Sequence, residues 1–132
     1  MPVTYQIDKN RQLIHTKCSG PVTIEEVVAH FHTLEHDPEC PPRPNVLLDL
    51  TEQTSIPLKG NLQDVAGEIT RIRGTVTFGA CAIVARQDAL FGMLRMFEVF
   101  AEKCFLRTHV FRKMEDAQEW LAAERPKTSA AG

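Results

Sequence analysis

The sequence predicts an α/β fold with the element order β-β-α-β-α-β-α-β-α. Two observations support this prediction. Short segments alternate apolar and polar residues, as strands do, while longer segments repeat apolar residues every three to four positions, as helices do. Because helices separate most of the strands, right-handed crossovers and a mostly parallel sheet are expected, and an N-terminal hairpin adds an antiparallel edge to this mixed sheet.

The first half of the chain is predicted to form a hairpin, a helix and a buried strand. Thr23 has the position of a helix N-cap, and Glu26 three residues later completes a capping box. The apolar residues that follow have helical spacing and predict one core-facing stripe. The predicted elements are strands at 3–7 and 12–18, a helix from 23 to about 37, and a strand at 46–50.

The second half repeats this alternation. Asn61 is the predicted cap of the second helix and Gly74 its end, while Asp88 is the predicted cap of the third helix. The continuous apolar run at 77–85 is typical of a strand covered on both faces. The remaining predicted elements are helices at 61–72, 88–103 and 115–124 and a strand at 107–112. Residues 1–124 are predicted to form one domain, and residues 125–132 a disordered tail.

Composition excludes several classes of function. The net charge of the 132 residues is −2, and the basic residues are scattered, so a nucleic-acid partner is not expected. The N-terminus lacks a secretory pattern, and no apolar stretch approaches the roughly 20 residues that span a bilayer. The four cysteines are widely spaced, without a metal-ligand pattern. We therefore expect a cytoplasmic protein that is not transmembrane, with reduced cysteines and no cofactor.

A family resemblance rests on segments spread along residues 3–121. These segments are GPVTIEE at 20–26, LDL at 48–50, FGMLRMFE at 91–98, VFR at 110–112 and AQEWL at 117–121. With the element order, they resemble the STAS and SpoIIAA-like family, whose members include anti-sigma-factor antagonists and the cytoplasmic domains of sulfate transporters. The chain is most similar to a bacterial branch that is described as STAS/CRAL-TRIO-related.

The chain departs from this family at the start of the second helix. Anti-sigma antagonists have an Asp-Ser-Ser-Gly quartet there, in which one serine is phosphorylated. The corresponding residues here are Pro57-Leu58-Lys59-Gly60, which carry no hydroxyl group. The phosphorylation switch that the resemblance implies therefore lacks its serine. The nearby hydroxyls of Thr51, Thr54 and Ser55 are expected to serve in turns and caps.

Two groups of residues are candidate binding sites. Asp49, Lys59, Gly60 and Asn61 are predicted to meet at a strand end and a helix start, where an anion could bind. The alternative is that Lys59 is a solvated surface charge. The third predicted helix has a wide apolar face, and it serves either to pack against neighbouring helices or to bind a lipid, an apolar ligand or a second copy of the chain. Its candidate residues are Phe91, Met93, Met96, Phe97 and Phe100.

One motif of catalytic type is present. Residues 32–36 have the pattern H-x-x-E-H, which binds zinc in some metalloproteases. The core-facing stripe of the first helix directs His32 and His36 to the opposite, solvated face, so no metal site is expected there. No other catalytic motif was found, and no enzymatic activity is expected.

The leading functional hypothesis is a non-enzymatic interaction module that forms a homodimer or binds another protein. The alternative is a carrier or sensor of an apolar, lipid-like or anionic small molecule, held between the third helix and the sheet, as the CRAL-TRIO relatives imply.

Overall fold

The computed structural model describes residues 3–72 and 75–124. The element order is the predicted one, and the fold class is confirmed. The elements are β1 (Val3–Asp8), β2 (Leu13–Gly20), α1 (Ile24–Glu35), β3 (Asn45–Gln53), α2 (Lys59–Arg71), β4 (Cys81–Val84), α3 (Asp88–Phe100), β5 (Thr108–Phe111) and α4 (Met114–Ala123). The predictions for Gly74 and for the tail at 125–132 lie outside the described residues. Within the described ranges, no helix is long and apolar enough to cross a membrane.

The strands form one five-stranded sheet in the order β1-β2-β3-β4-β5. β1 and β2 are antiparallel, and the other neighbouring pairs are parallel. Each of α1, α2 and α3 connects one parallel strand to the next in the same direction across the sheet, so right-handed crossovers place all three on one face. α4 follows the last strand and packs on the opposite face, against β3, β4 and β5.

Each face of the sheet has its own apolar core. The larger core lies under α1, α2 and α3 and includes the fully buried Ile14, Leu34, Ile69 and Ile83. The smaller one lies under α4, where small residues such as Ala82 and Ala117 let the helix approach the sheet closely. Because both cores meet at β4, all four residues of that strand are buried, as its continuous apolar run predicts.

The helix starts agree with the predictions in one case and differ in two. Thr23 caps α1 as predicted: its hydroxyl accepts from the Glu26 amide at 3.2 Å, and its own amide donates to the Glu26 carboxylate at 2.8 Å. The prediction that Asn61 caps α2 was wrong. The cap residue is Leu58, whose amide donates to the Asn61 side chain from three residues away. Asp88 is the first residue of α3 rather than its cap, which is Gln87.

β4 is shorter than the predicted strand at 77–85. The Gly79 amide donates to the Pro44 carbonyl, and the Ala80 amide donates to the Asn45 side chain, both at 2.8 Å. The segment before Cys81 is therefore fixed by Pro44, in the loop before β3, and by Asn45, the first residue of β3. A β-carbon at Gly79 would collide with the Asn45 side-chain oxygen, so this close approach requires glycine.

The third helix is α-helical over most of its predicted length. The α-helical part of α3 ends at Phe100, and a short 3₁₀ turn (Ala101–Lys103) occupies the rest of the helix predicted to reach 103.

At the β5 edge of the sheet, the Val110 amide donates to the Glu98 carboxylate of α3 at 2.7 Å. A backbone donor of this edge strand is thus already used, which hinders pairing with another strand.

Candidate functional site

A cavity of about 360 Å³ lies between the sheet and helices α1 and α2. Its walls come from alternate residues of β2 and β3, including Leu48 and Leu50, together with Val27 of α1 and Val65 of α2. The cavity lies at the carboxyl ends of β2 and β3, the position where open α/β sheets commonly bind ligands. Its volume falls within the range of roughly 300–1,000 Å³ that is typical of small-molecule sites.

Two polar side chains are paired in the wall of this cavity. The Thr16 hydroxyl of β2 and His30 Nε2 of α1 lie 3.0 Å apart, and both residues are buried. The His30 ring makes edge contacts with the rings of Tyr5 at 5.3 Å and Phe31 at 4.9 Å. Burial lowers the pKa of His30 to about 4, because the charged imidazolium would lose its hydration. The imidazole is therefore neutral near pH 7.

The loop after β3 partly covers the cavity and is fastened to the loop before α1. The Ser55 hydroxyl accepts from the Val22 amide and donates to the Val22 carbonyl, each at 2.9 Å. The Thr54 amide donates to the Gly20 carbonyl, also at 2.9 Å. Between these bonds and the start of α2, Ile56 and Pro57 line the cavity. The Ser55 hydroxyl therefore joins two loops that are 33 residues apart in the sequence rather than closing a local turn, and these bonds shape the cavity mouth.

The predicted anion site does not form as one cluster. Leu48 and Leu50 face the cavity, so Asp49 between them points to the opposite face of the sheet. There its carboxylate accepts from the Thr51 amide at 3.0 Å and from the Thr51 hydroxyl at 2.7 Å. Lys59 and Gly60 are exposed at the start of α2, and Asn61 lies at the wall of the cavity. Lys59, Gly60 and Asn61 therefore lie together at the start of α2, and Asp49 is separated from them.

The predicted apolar face of α3 is divided between two environments. Phe97 is buried and reaches the cavity wall together with Leu94. Phe91, Met93 and Phe100 are half-buried against the larger core. The residues that face solvent are Met96, which is 38% exposed, Val99, which is 63% exposed, and Leu106 after the helix, which is 67% exposed. Most of this face is therefore used for packing. Met96 and Val99 are its exposed residues, and Leu106 is exposed after the end of the helix.

The H-x-x-E-H residues form a polar cluster on the surface. His32 Nδ1 and His36 Nε2 each lie 3.7 Å from one carboxylate oxygen of Glu35, and both imidazoles are exposed, as predicted. The same oxygen accepts from Arg71 at 3.0 Å. Glu68 and Glu35, in that order, raise the pKa of Arg71 through hydrogen bonds. Side-chain ligand atoms of His32, Glu35 and His36 lie within 4.8 Å of one another, so a metal ion there would compete with the Arg71 guanidinium for the Glu35 carboxylate.

The cysteines provide packing rather than reactive groups. Cys18 lines the cavity, and burial raises the pKa of its thiol to about 12, with smaller contributions from Asp49 and Glu26. Burial also raises the pKa of Cys81 well above its ordinary value. Cys81 and Cys104 are buried, as predicted. A thiol that is protonated near neutral pH is a poor nucleophile and a poor metal ligand.

A wider groove of about 1,410 Å³ runs along the β1–β2 hairpin towards α4. Charged residues line much of it, and some of them pair with one another. Lys9 forms an ion pair with Glu39, and Arg11 lies 3.6 Å from the Asp8 carboxylate. Asp37 and Glu119 add acidic groups outside these pairs, so the groove is wide, polar and solvated, and the smaller, more apolar cavity is the better candidate for a small-molecule site.

Sequence reasoning did not single out the residues that define this cavity. Thr16 and Cys18 are the inward-facing residues at the end of β2, and His30 borders the apolar stripe of α1. A polar residue at a core-facing strand position is the signal that could have identified Thr16. Its partner could not be identified in this way, because the pair depends on how α1 packs on the sheet.

Comparison with known proteins supports the fold assignment. No protein-family model and no curated protein matches the chain. Among solved structures, the chain is similar to an uncharacterized protein of the DUF3478 family with a SpoIIAA-like fold from Shewanella loihica PV-4. The match covers 90% of this chain and 91% of that one, with 19% identity and a TM-score of 0.57. Together with the sheet order and the helix placement, this match shows that the chain has a SpoIIAA-like fold.

Proposed function

We propose that the protein is a carrier or sensor that binds a compact apolar molecule in the cavity between the sheet, α1 and α2. The observation that carries this proposal is a cavity of about 360 Å³ that contains a paired polar group in an otherwise largely apolar wall. Protein interiors are close-packed and contain few voids larger than a water molecule. A concave, largely apolar pocket of this size that opens to the surface is the usual form of a small-molecule site.

Several features favour binding over catalysis. His30 and Thr16 are close enough to act as a base and a nucleophile, but the burial that lowers the pKa of His30 makes it a weak base near pH 7. Burial also keeps the nearby Cys18 thiol protonated. We therefore propose that the bound molecule is not chemically changed.

A neutral fluorescent probe tests this proposal. N-phenyl-1-naphthylamine becomes bright in an apolar environment, and we expect one saturable site per chain when it is titrated into the protein. Fluorescence that rises without saturation, or that does not rise, would contradict ligand binding in the cavity.

Self-association is a second candidate, which one specific observation favours. Val99 and Leu106 are both more than half exposed, and they line a shallow hollow of about 290 Å³ beside the β5 edge. Because the Val110 amide of that edge is already bonded to Glu98, we propose that a second copy of the chain packs through these side chains rather than through an added strand.

Light scattering across a range of concentrations tests self-association. We expect a dimer for the natural protein and a monomer for the double variant Val99→Asp/Leu106→Asp, because charges at the centre of an apolar interface are costly to bury. Leu58→Asp is the matched control, since Leu58 is 72% exposed on another part of the surface and its change should leave the dimer intact. A strict monomer for the natural protein would refute this candidate.

A further inference from the structure

We infer that the cavity selects neutral apolar molecules that carry a hydroxyl or carbonyl oxygen, with the Thr16–His30 pair as the group that hydrogen-bonds this oxygen. This inference rests on the proposed function, since it requires that the cavity bind a ligand. Three observations support it: the charges in the cavity wall, the hydrogen-bonding capacity of the Thr16–His30 pair and the volume of the cavity.

The wall of the cavity carries no cationic side chain, and its acidic side chain lies at the surface. Among the described residues that line it, none is lysine or arginine, and Glu25, which is exposed, is the one acidic residue. A carboxylate or phosphate that entered the cavity would lose its hydration without gaining a cation. A cationic ligand would meet the neutral imidazole of His30 inside and would have to remain near Glu25 at the surface. The cavity therefore disfavours ions of both signs.

The Thr16–His30 pair can bond either a hydroxyl or a carbonyl. A threonine hydroxyl supplies one donor and two acceptor positions, so the bond to His30 leaves Thr16 able to make another. When His30 Nε2 accepts the Thr16 proton, the Thr16 oxygen can still accept from an alcohol. When His30 Nε2 carries a proton and donates, the Thr16 hydroxyl is free to donate to a carbonyl. Both residues line the cavity, so this bond can form with a ligand inside it.

The volume of the cavity limits the ligand further. About 360 Å³ corresponds to about a dozen water molecules, at the roughly 30 Å³ that each occupies in the liquid. A single medium-length chain or a compact system of two or three rings fits this volume, whereas both chains of a membrane phospholipid do not. A single medium-length chain or a small ring system with one oxygen is the chemical class that satisfies all three conditions.

A matched pair of ligands tests the inference. 1-Decanol and decanoate have the same chain length and differ in charge at neutral pH. We expect decanol to displace N-phenyl-1-naphthylamine from the protein at least about thirtyfold more effectively than decanoate, because the carboxylate would be buried without a partner. Equal displacement by both ligands would overturn the neutral-ligand inference and leave binding in the cavity standing. Failure of the probe itself to bind would instead overturn the proposed function.

Variants of Thr16 test the role of the pair. Thr16→Val keeps the shape and removes the hydroxyl, and we expect decanol to bind about three- to tenfold more weakly. Thr16→Ser restores a hydroxyl and should restore the affinity, which separates a lost hydrogen bond from a disturbed fold. Thr33→Val is the matched control, because the Thr33 hydroxyl bonds the Ala29 carbonyl on the exposed side of α1. Equal decanol affinity in the Thr16→Val and Thr33→Val proteins would contradict the inference.

Discussion

The protein is expected to lose about 3 kcal/mol of unfolding free energy through His30 alone as the pH falls from above 6.5 to below 4. Burial lowers the pKa of His30 from 6.5 to about 4 in the folded state. Between these values the unfolded chain binds a proton at His30 and the folded chain does not, so acid favours unfolding. The loss begins as the pH falls through 6.5 and is complete below about 4.

Urea unfolding at several pH values, compared with a variant that lacks the pair, measures this effect. Thr16→Val combined with His30→Leu replaces both partners by apolar groups, which avoids leaving a buried polar atom without a bond. The variant should retain more of its stability between pH 6.5 and 4 than the natural protein does. Glu68, whose pKa is lowered by its hydrogen bonds with Arg71, is expected to contribute equally to both proteins. Identical pH profiles would show that His30 is not buried as a neutral group.

The second large effect concerns the cavity itself. Val27 is half-buried in α1 and lines the cavity, and we expect Val27→Trp to weaken binding of N-phenyl-1-naphthylamine at least about a hundredfold. The indole would occupy space that the ligand needs. The measurement is the same fluorescence titration that is used for the natural protein.

The adjacent residue provides the control for this prediction. Val28 is also half-buried in α1, but it does not line the cavity, so Val28→Trp should leave binding within about threefold of the natural protein. Urea unfolding of both variants shows whether either of them has lost its fold. If the Val27→Trp protein is folded and binds the probe normally, the probe is not in this cavity.

Local patterns were sufficient to predict the fold. The capping box of Thr23 and Glu26 marks the start of α1, and the apolar run in β4 indicates a strand covered on both faces. The start of α2 was misplaced because Asn61 acts from inside the helix, where its side chain accepts from the Leu58 amide. Asparagine is common at helix starts, but the sequence does not show whether it is the cap or the third helical residue.

The site was less predictable, because it depends on contacts between distant residues. Thr16 and His30 are 14 residues apart, and they meet only because α1 packs over β2. The predicted groups contributed Phe97 and Asn61 to the wall of the cavity, but α1, β2 and β3 supply residues that no predicted group contained, and α3 supplies only a small part of the wall. Asp49 was grouped with Asn61 from their order in the chain, whereas strand alternation places Asp49 on the other face of the sheet.

The most direct test of ligand binding in the cavity is a methyl NMR titration of the protein with 1-decanol. We predict that the methyl signals of Val27, Leu50 and Val65, which line the cavity, shift and saturate together, while those of Val99 and Leu106 on the exposed surface stay in place. Shifts confined to Val99 and Leu106, or no shifts in any of these methyl groups, would contradict the account.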